Sequence, residues 1–374
     1  MYLNYLELVN FRNYEDLKLK FNNKKILLIG KNAQGKTNIL ESLYYASTLK
    51  SLRAKNDSEL ILWNKDFSRI KLNIQTDNID NTLEIIINPP QKKILKVNQV
   101  KKTKSSDFCK YLSSVNFCVN DLLLLRGTPE NRRNWLDLAI SQIYPAYLER
   151  IAKYNKIKNQ KNIYLKEIKN KGTKNELLEI WNTQLAISGS NIIYLRIKFL
   201  KELLKLAKTK HRQIAKDEEL NYIYNSSVLD NVNIELDAES RIQDILEKFR
   251  KKLDEKLKEE IIRAQSIVGP HRDDLTFYLN NINSLKYASQ GQQRTIVLSL
   301  KLSELDLIFC KTNEYPILLL DDVLAELDDN RQNFLLESIP ENIQMIITSV
   351  DTLQFHKKYL NSVELHKIQN GKVI

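Results

Sequence analysis

The stretch ILLIGKNAQGKT, residues 26–37, decides how this chain folds. It matches the pattern GxxxxGK followed by Ser or Thr, comes after an apolar run typical of a buried strand, and leads into a helical pattern over residues 38–46. Glycines allow backbone N–H groups to wrap a phosphate, Lys36 neutralises phosphate charge, and the Thr37 hydroxyl ligates Mg²⁺. The stretch therefore predicts a P-loop that binds ATP with Mg²⁺ in an α/β fold. The predicted nucleotide-binding residues here are Gly30, Lys31, Asn32, Ala33, Gln34, Gly35, Lys36 and Thr37.

A second half of the same site is predicted far downstream. Residues 317–322 read ILLLDD, the pattern of a buried strand that ends in two acids. Such a strand brings a carboxylate to Mg²⁺ beside a P-loop, so Asp321 would hold the metal and Asp322 would orient or deprotonate the attacking water. Taken alone, the two acids could equally cap a helix or lie in a solvated turn. With a P-loop in the same chain, we interpret Lys36, Asp321 and Asp322 as the catalytic residues.

A polar turn at residues 289–294, SQGQQR, precedes a helical pattern and forms the third element. A helix N-terminus binds anions, yet this one is far from the P-loop along the chain. We therefore expect Ser289, Gly291 and Gln292 to contact the γ-phosphate of ATP held by a second copy, in a homodimer. The alternative is an ordinary serine N-cap.

The region between the two half-sites is predicted to be helical. From about residue 145 to 264, glycine and proline are nearly absent and apolar residues recur at intervals of three and four. One heptad seam comprises Leu178, Trp181, Leu185, Ser188, Ile192, Leu195, Phe199, Glu202 and Leu206. A second helix carries Ile245, Phe249, Leu253, Leu257 and Ile261 on one face. An antiparallel helical arm follows from the seam, and a plain helical packing domain remains the alternative.

Strand patterns occupy both ends of the chain. The first hundred residues alternate like strands, which we interpret as one mixed sheet with residues 26–29 at its centre. Strand patterns return at 275–279, 317–320, 343–348 and 363–368, separated by helical patterns at 294–309 and 329–338. We therefore predict a P-loop ATPase head assembled from residues 1–144 and 266–374, with a helical arm inserted at residues 145–265.

Composition narrows the partners. Lys and Arg outnumber Asp and Glu by 58 to 46, a net charge of +12, so either a polyanion partner or a solubilising surface is expected. No apolar run approaches the length of a membrane span, and a cytoplasmic location is expected. Three cysteines without a CxxC pair and four histidines predict neither a zinc site nor a disulfide framework.

Together these motifs resemble the RecF family, which belongs to the ABC-type ATPases related to SMC proteins. The resemblance covers essentially the whole chain, including NFRNY at 10–14, RGTPENRR at 126–133 and GPHRDD at 269–274. It implies that residues 30–37 are the Walker A loop, Asp321 and Asp322 the Walker B pair, 289–292 the ABC signature and 325–328 the D-loop.

Three positions depart from the family pattern. Val119-Asn120 precedes Asp121 where Pro-Glu is favoured, Leu52 precedes Arg53 where His is common, and Ala325 replaces the usual Ser. The last departure weakens any role of the D-loop side chain in sensing a partner.

The resemblance implies a protein that binds ATP, dimerises on it, hydrolyses it slowly and binds single-stranded, gapped or double-stranded DNA. It implies work with RecR and RecO type proteins to load recombinase at single-strand gaps, and support of replication and the SOS response. Hydrolysis would release a basic cleft closed by two ATP molecules, so DNA affinity should follow nucleotide state.

The basic stretches offer candidate contacts to a DNA backbone, although each is more typical of a solvated face. They are Lys92-Lys93, Lys101-Lys102-Lys104, residues 153–161 and residues 248–252. Structural ion pairs explain Arg132-Arg133 and His271-Arg272 equally well. Two other classes stay open. A transporter ATPase subunit would need a subdomain that docks on membrane helices, and a metabolic kinase would need a small-molecule acceptor site.

Overall fold

The computed structural model describes residues 1–76, 79–171, 176–233, 241–353, 355 and 357–374. The strands are β1 Tyr2–Phe11, β2 Tyr14–Lys20, β3 Lys25–Ile29, β4 Ser68–Thr76, β5 Ile79–Ile87, β6 Ile94–Val97, β7 Val100–Lys102, β8 Ser114–Cys118, β9 Leu220–Ser226, β10 Asp230–Asn233, β11 Asp274–Leu279, β12 Ile282–Asn283, β13 Ile317–Asp321, β14 Met345–Ser349, β15 Glu364–Gln369 and β16 Lys372–Val373. The helices are α1 Lys36–Thr48, α2 Ser105–Cys109, α3 Leu123–Arg126, α4 Pro129–Ile143, α5 Tyr147–Lys171, α6 Leu178–Ile214, α7 Ile242–Arg263, α8 Ser284–Tyr287, α9 Gln290–Thr312, α10 Asp329–Ser338 and α11 Lys357–Leu360.

The chain forms two compact units. The first contains Met1–Asp121 and Leu300–Ile374, and the second contains Leu122–Ser299. The second unit thus includes residues 122–144 and 266–299 in addition to the predicted insertion at 145–265. Its borders lie inside the segments that the sequence suggested for the ATPase head.

A largely parallel sheet organises the first unit. Its strand order is β16-β15-β3-β14-β13-β8, and β15, β3, β14, β13 and β8 run parallel. Strands β13 and β14 are buried almost throughout, as expected for parallel strands covered on both faces, and α1 packs against β8, β13 and β14. Parallel strands end at one edge, so the carboxyl ends of β3, β13 and β14 lie together there.

A separate antiparallel sheet, β2-β1-β4-β5-β6-β7, completes the first unit. Alternating burial along β4 and β5 agrees with the strand-like alternation of the first hundred residues. The prediction of one mixed sheet centred on residues 26–29 was wrong. Strand β3 pairs with β14 and β15 from the C-terminal part of the chain, whereas β1 pairs with its neighbours β2 and β4.

The second unit combines helices with an antiparallel sheet, β10-β9-β11-β12. Helix α6 packs against α5, α7 and β9, and α4 packs against β11. The sequence of residues 221–236 is less regular than its helical surroundings and fits either a short strand pair or a loop; in the structure it contains the β9–β10 hairpin, in which Asp230 pairs with Ser226. Residues 234–236 of this stretch lie outside the described residues.

The predicted heptad seam on α6 is only partly buried. Leu178, Leu185, Ile192 and Phe199 are buried, but the alternate positions on the buried face are Asn182, Gly189, Arg196 and Leu203, one residue later than predicted. Polar and small residues occupy three of these four positions, so an apolar pattern could not reveal them. Within the described ranges, no helix is long and apolar enough to cross a membrane.

Candidate nucleotide-binding site

The P-loop lies between β3 and α1, where the sequence predicted it. The backbone of Gly35, at the start of α1, has φ 115°, a conformation that L side chains rarely adopt. A Cβ at position 35 would lie 2.6 Å from Oη of Tyr14, and a Cβ at Gly30 would overlap the carbonyl oxygen of Ile368. Both glycines are therefore required by the loop's shape and by its close neighbours.

Two turns hold the loop at Gln34. Asn13 Nδ2 and the backbone N–H of Gly371 donate to the carbonyl oxygen of Gln34 over 3.2 and 3.1 Å. The backbone N–H of Asn370 donates to Gln34 Oε1 over 2.6 Å. Asn13 lies between β1 and β2, whereas Asn370 and Gly371 lie between β15 and β16, so both chain ends fix the loop. The resemblance drew attention to Asn13, but no motif pointed to residues 370 and 371.

Lys36 is folded back onto the loop. Its Nζ donates to the carbonyl oxygens of Gly30 at 2.6 Å and Lys31 at 3.1 Å, and the residue is 4% exposed. These neutral acceptors are weaker partners for an ammonium group than a phosphate oxygen. The side chain is thus already positioned inside the loop that would hold a nucleotide's phosphates.

Thr37 and Asp321 meet at the edge of the parallel sheet. Thr37 Oγ1 donates to Asp321 Oδ1 over 2.9 Å, and Thr348 Oγ1 donates to the same oxygen over 2.8 Å. Burial raises the pKa of Asp321, the two hydroxyl donors oppose this effect, and the neighbouring Asp322 adds to it. A hydroxyl and a carboxylate are oxygen ligands of the kind that Mg²⁺ prefers, so the pair fits this ion.

Asp322 adopts a left-handed backbone conformation, with φ 53°. Its N–H donates to Thr348 Oγ1 over 2.9 Å, and Thr348 Oγ1 lies 3.4 Å from Asp322 Oδ1. Thr348 therefore connects both acids, a role that sequence reasoning missed. A polar residue at the end of the apolar stretch 343–348 was the available signal.

A cavity of about 140 Å³ opens beside these acids. Thr37, Asp321 and Asp322 line it together with Cys118 and Asn120, which follow from the end of β8. Burial raises the pKa of Cys118 to about 12, so this thiol stays protonated at neutral pH. Asn120 places an amide rather than a carboxylate in the cavity wall.

A charged cluster supports α1 from the side of this cavity. Arg12 forms a two-pronged ion pair with Glu41, through Nε at 2.9 Å and Nη2 at 2.6 Å. Ser51 Oγ donates to Glu41 over 2.6 Å, and Arg53 Nη1 donates to Asn38 Oδ1 over 3.0 Å. Glu41 is only 7% exposed. The ion pair with Arg12 balances the charge of this buried carboxylate within the first unit. A lone acid in a helical pattern gave no signal of this cluster.

The predicted signature residues lie in the second unit. Ser289 is exposed and begins α9, where its Oγ accepts the N–H of Gln292 over 3.2 Å while Gln292 Oε1 accepts the N–H of Ser289 over 2.8 Å. This reciprocal pair is a capping box. Gly291 lies between them in the first turn. The serine is thus an N-cap and also an accessible surface group.

The predicted D-loop, residues 325–328, follows β13 and ends at the N-cap of α10. Asp328 Oδ1 accepts the N–H of Arg331 over 3.1 Å, which is a structural role. Among the described residues, no group of three or more His, Cys, Asp or Glu could hold a metal ion. A metal at this site would therefore depend on Thr37, Asp321 and the nucleotide's own phosphates.

A protein-family model described as the RecF/RecN/SMC N terminal domain matches residues 2–373. A crystal structure of an Smc head bound to the C-winged helix domain of ScpA aligns with a TM-score of 0.54 at 13% identity, a likeness of fold alone. Fold and site thus define an α/β, ABC-type ATPase head of the class that contains SMC proteins.

Within this class, the chain belongs to the RecF family. It is 40% identical to the DNA replication and repair protein RecF of Ligilactobacillus salivarius (strain UCC118), over 100% of this chain and 97% of that protein. RecF of Bacillus thuringiensis (strain Al Hakam) is also 40% identical, over 100% and 98% of the two chains. The solved structure of the recombination mediator protein RecF-ATP of the RecFOR pathway aligns with a TM-score of 0.90 at 33% identity. The alignment covers 100% of this chain and 97% of that chain.

Proposed function

We propose that this chain binds ATP with Mg²⁺ at the P-loop and uses the nucleotide to control a DNA-binding dimer that acts in recombinational repair and replication. The observation that carries the proposal is the contact between Thr37 and Asp321, which joins the two half-sites. Relatives named as DNA replication and repair proteins, and one named as a RecF-ATP complex, support it.

The loop residues 30–35 would bind phosphates through backbone N–H groups, because its glycines keep side chains away from the cradle. Lys36 would exchange its two carbonyl acceptors for β- and γ-phosphate oxygens. Thr37 and Asp321 would hold Mg²⁺, the latter through water. When bound, the ion would neutralise charge that develops on the phosphates.

Hydrolysis requires a group that orients or deprotonates water. Asp322 lines the cavity next to Asp321, and its backbone is fixed by Thr348. We assign the water-orienting role to Asp322, with Lys36 stabilising the phosphates. Asn120, in the wall of the same cavity, offers an amide there and no second base, which agrees with slow turnover.

Dimerisation would place Ser289, Gly291 and Gln292 against the γ-phosphate held by a second copy. The exposure of Ser289 supports this assignment, because a buried serine could not reach another molecule. The N-terminus of α9 also carries the positive end of the helix dipole, which favours an anion. Loss of the γ-phosphate would remove this contact and open the dimer.

DNA is the proposed polyanion, given the net charge of +12 and the names of the relatives. Because the solved relative belongs to the RecFOR pathway, we propose RecR and RecO type partners, recombinase loading at single-strand gaps and support of the SOS response. These activities are consistent with a cytoplasmic location.

Light scattering with and without ATP tests the switch, combined with binding to a fluorescent gapped duplex. We expect a monomer without nucleotide, a dimer with ATP, and DNA affinity that is highest with ATP and falls steeply as salt rises. A monomer under both conditions would refute ATP-gated dimerisation. ATP turnover by a monomer that ignores excess DNA would instead favour a metabolic kinase.

A further inference from the structure

The two acids of the loop at residues 269–274, GPHRDD, bind other groups of the second unit. Asp273 is fully buried, where it accepts hydrogen bonds from the hydroxyl of Tyr224 and from the N–H of Ser227, the latter over 2.8 Å. Asp274 forms a two-pronged ion pair with Arg132, at 2.6 and 3.0 Å. Both carboxylates therefore already have partners within the second unit, and Arg132 is a structural residue.

Three further cations converge on this loop. Arg133 Nη1 donates to the carbonyl oxygen of Asp273 over 2.7 Å, and Arg272 Nη2 donates to the carbonyl oxygen of Ser266 over 3.2 Å. The hydroxyl of Tyr154 lies 2.6 Å from His271 Nδ1, and Lys158 follows Tyr154 by one turn on α5. Arg272 therefore lies between two residues that contact the other cations or their surroundings. Asp273 accepts a hydrogen bond from Arg133, and His271 contacts Tyr154, which lies one turn before Lys158 on α5.

The hydrogen bonds of these cations described here go to neutral oxygens, of Asp273, Ser266 and, for Lys158, Asn155 Oδ1 at 3.3 Å, although Asp274, Asp273 and Glu130 also act electrostatically on Arg133. Arg133 and Lys158 are half-buried, whereas Arg272 is exposed. Burial lowers the pKa of Lys158, and Arg272 and Arg133 lower it further. Burial and the nearby Arg196 lower the pKa of Arg133, and Asp274, Asp273 and Glu130 oppose this effect without reversing it. Like charges held together in a partly desolvated place cost stability, unless an anion joins them.

We propose that Arg133, Lys158 and Arg272 form a binding site for a backbone phosphate of nucleic acid. This inference rests on the proposed DNA binding and names residues that carry it. Arg133 and Arg272 each donate a hydrogen bond to a backbone carbonyl oxygen, which holds the guanidinium group in place. Each guanidinium group has further N–H donors that an anion could accept. Ser266 contributes a buried hydroxyl at the same place that has no hydrogen-bond partner in the structure.

The test compares Lys158→Gln and Arg272→Gln with the wild type in binding to a fluorescein-labelled gapped duplex, at several salt concentrations. Each variant should bind roughly tenfold more weakly, and the slope of log K against log salt should decrease by about 1. Arg263→Gln is the matched control, because Arg263 lies in the same unit, is exposed and pairs with Glu259 at 2.7 Å. It removes the same formal charge and should change affinity little.

Thermal unfolding separates a ligand site from a structural one. Lys158→Gln should unfold at the same temperature as the wild type or higher, because the repulsion is relieved. Weaker binding in Arg263→Gln equal to that in Arg272→Gln would overturn the site, as would unaltered binding in both site variants. Inorganic phosphate that stabilises the wild type but not Arg272→Gln, with unaltered DNA binding in that variant, would also overturn it. A wild type that does not bind the duplex would overturn the proposed function itself.

Discussion

Thr37 Oγ1 lies 2.9 Å from Asp321 Oδ1, although 284 positions separate the two residues in sequence. The contact exists because β3 and β13 are both parallel neighbours of β14, so their carboxyl ends lie at the same edge. The order of strands in the sheet therefore brings the residues of the ATPase site together. These residues are close to one another only after the N-terminal and C-terminal parts of the first unit have folded together.

Lys36→Ala should reduce ATP affinity by roughly 100-fold or more, because charge-assisted hydrogen bonds to phosphate are worth about 1.5–3 kcal/mol each. Equilibrium titration with a fluorescent ATP analogue measures this loss. Lys20→Ala, an exposed residue on β2, is the control and should bind like the wild type. Wild-type affinity in Lys36→Ala would show that the nucleotide binds elsewhere.

Asp322→Asn should retain ATP binding and slow hydrolysis by about 100-fold or more, because only the water-orienting carboxylate is lost. Asparagine tolerates the left-handed conformation at this position, so the loop should keep its shape. Phosphate release and light scattering with ATP should show a slow enzyme trapped as a dimer. Asp16→Asn, a change at an exposed residue of β2, is the control and should hydrolyse ATP like the wild type. Normal ATP turnover in Asp322→Asn would contradict the assignment of the water-orienting role.

Lys161→Met should lower the free energy of unfolding by about 3 kcal/mol. Lys161 and Glu260 form an ion pair at 2.5 Å, and neither side chain is exposed, so the substitution leaves a buried carboxylate without its partner. The double variant with Glu260→Gln should recover part of the loss. Urea denaturation measures these changes, and Lys256→Met, on the exposed face of α7, should have little effect. An unchanged free energy of unfolding in Lys161→Met would mean that water reaches Glu260.

Acid should destabilise the protein through His271. Burial lowers the pKa of His271 to about 3, against an ordinary value of about 6.5, so the unfolded chain binds a proton that the folded chain does not. Stability is therefore complete above pH 6.5 and decreases by about 1.4 kcal/mol per unit as pH falls towards 3. Urea denaturation between pH 7 and 5 should show a smaller decrease in His271→Gln. Equal slopes would indicate that other groups dominate.

Local patterns predicted several of the longer elements of this fold. The P-loop context, β13, β14 and β15, and the helices α9 and α10 follow from apolar periodicity and turn residues, which act over a few residues. Strand pairing does not follow from local patterns, since the pairing of β3 with β14 places residue 26 beside residue 346. This is why one mixed sheet was predicted where the structure has separate antiparallel and parallel sheets.

The site shows the same division. The loop and the two acids were predicted because their types and spacing are tied to phosphate and metal chemistry. Thr348 and Glu41 were missed, because a threonine after an apolar strand and a glutamate in a helix have many uses. Their roles depend on partners that only the folded chain supplies, Asp322 for Thr348 and Arg12 for Glu41.

The place of β3 in its sheet also fixes an order of assembly during translation. Strand β3 leaves the ribosome early, but both of its neighbours, β14 and β15, are made at the far end of the message. The second unit is complete once Ser299 has emerged. The nucleotide cradle is consequently finished last, and we expect that a product cut short before Met345 does not bind ATP, even if its helices have folded.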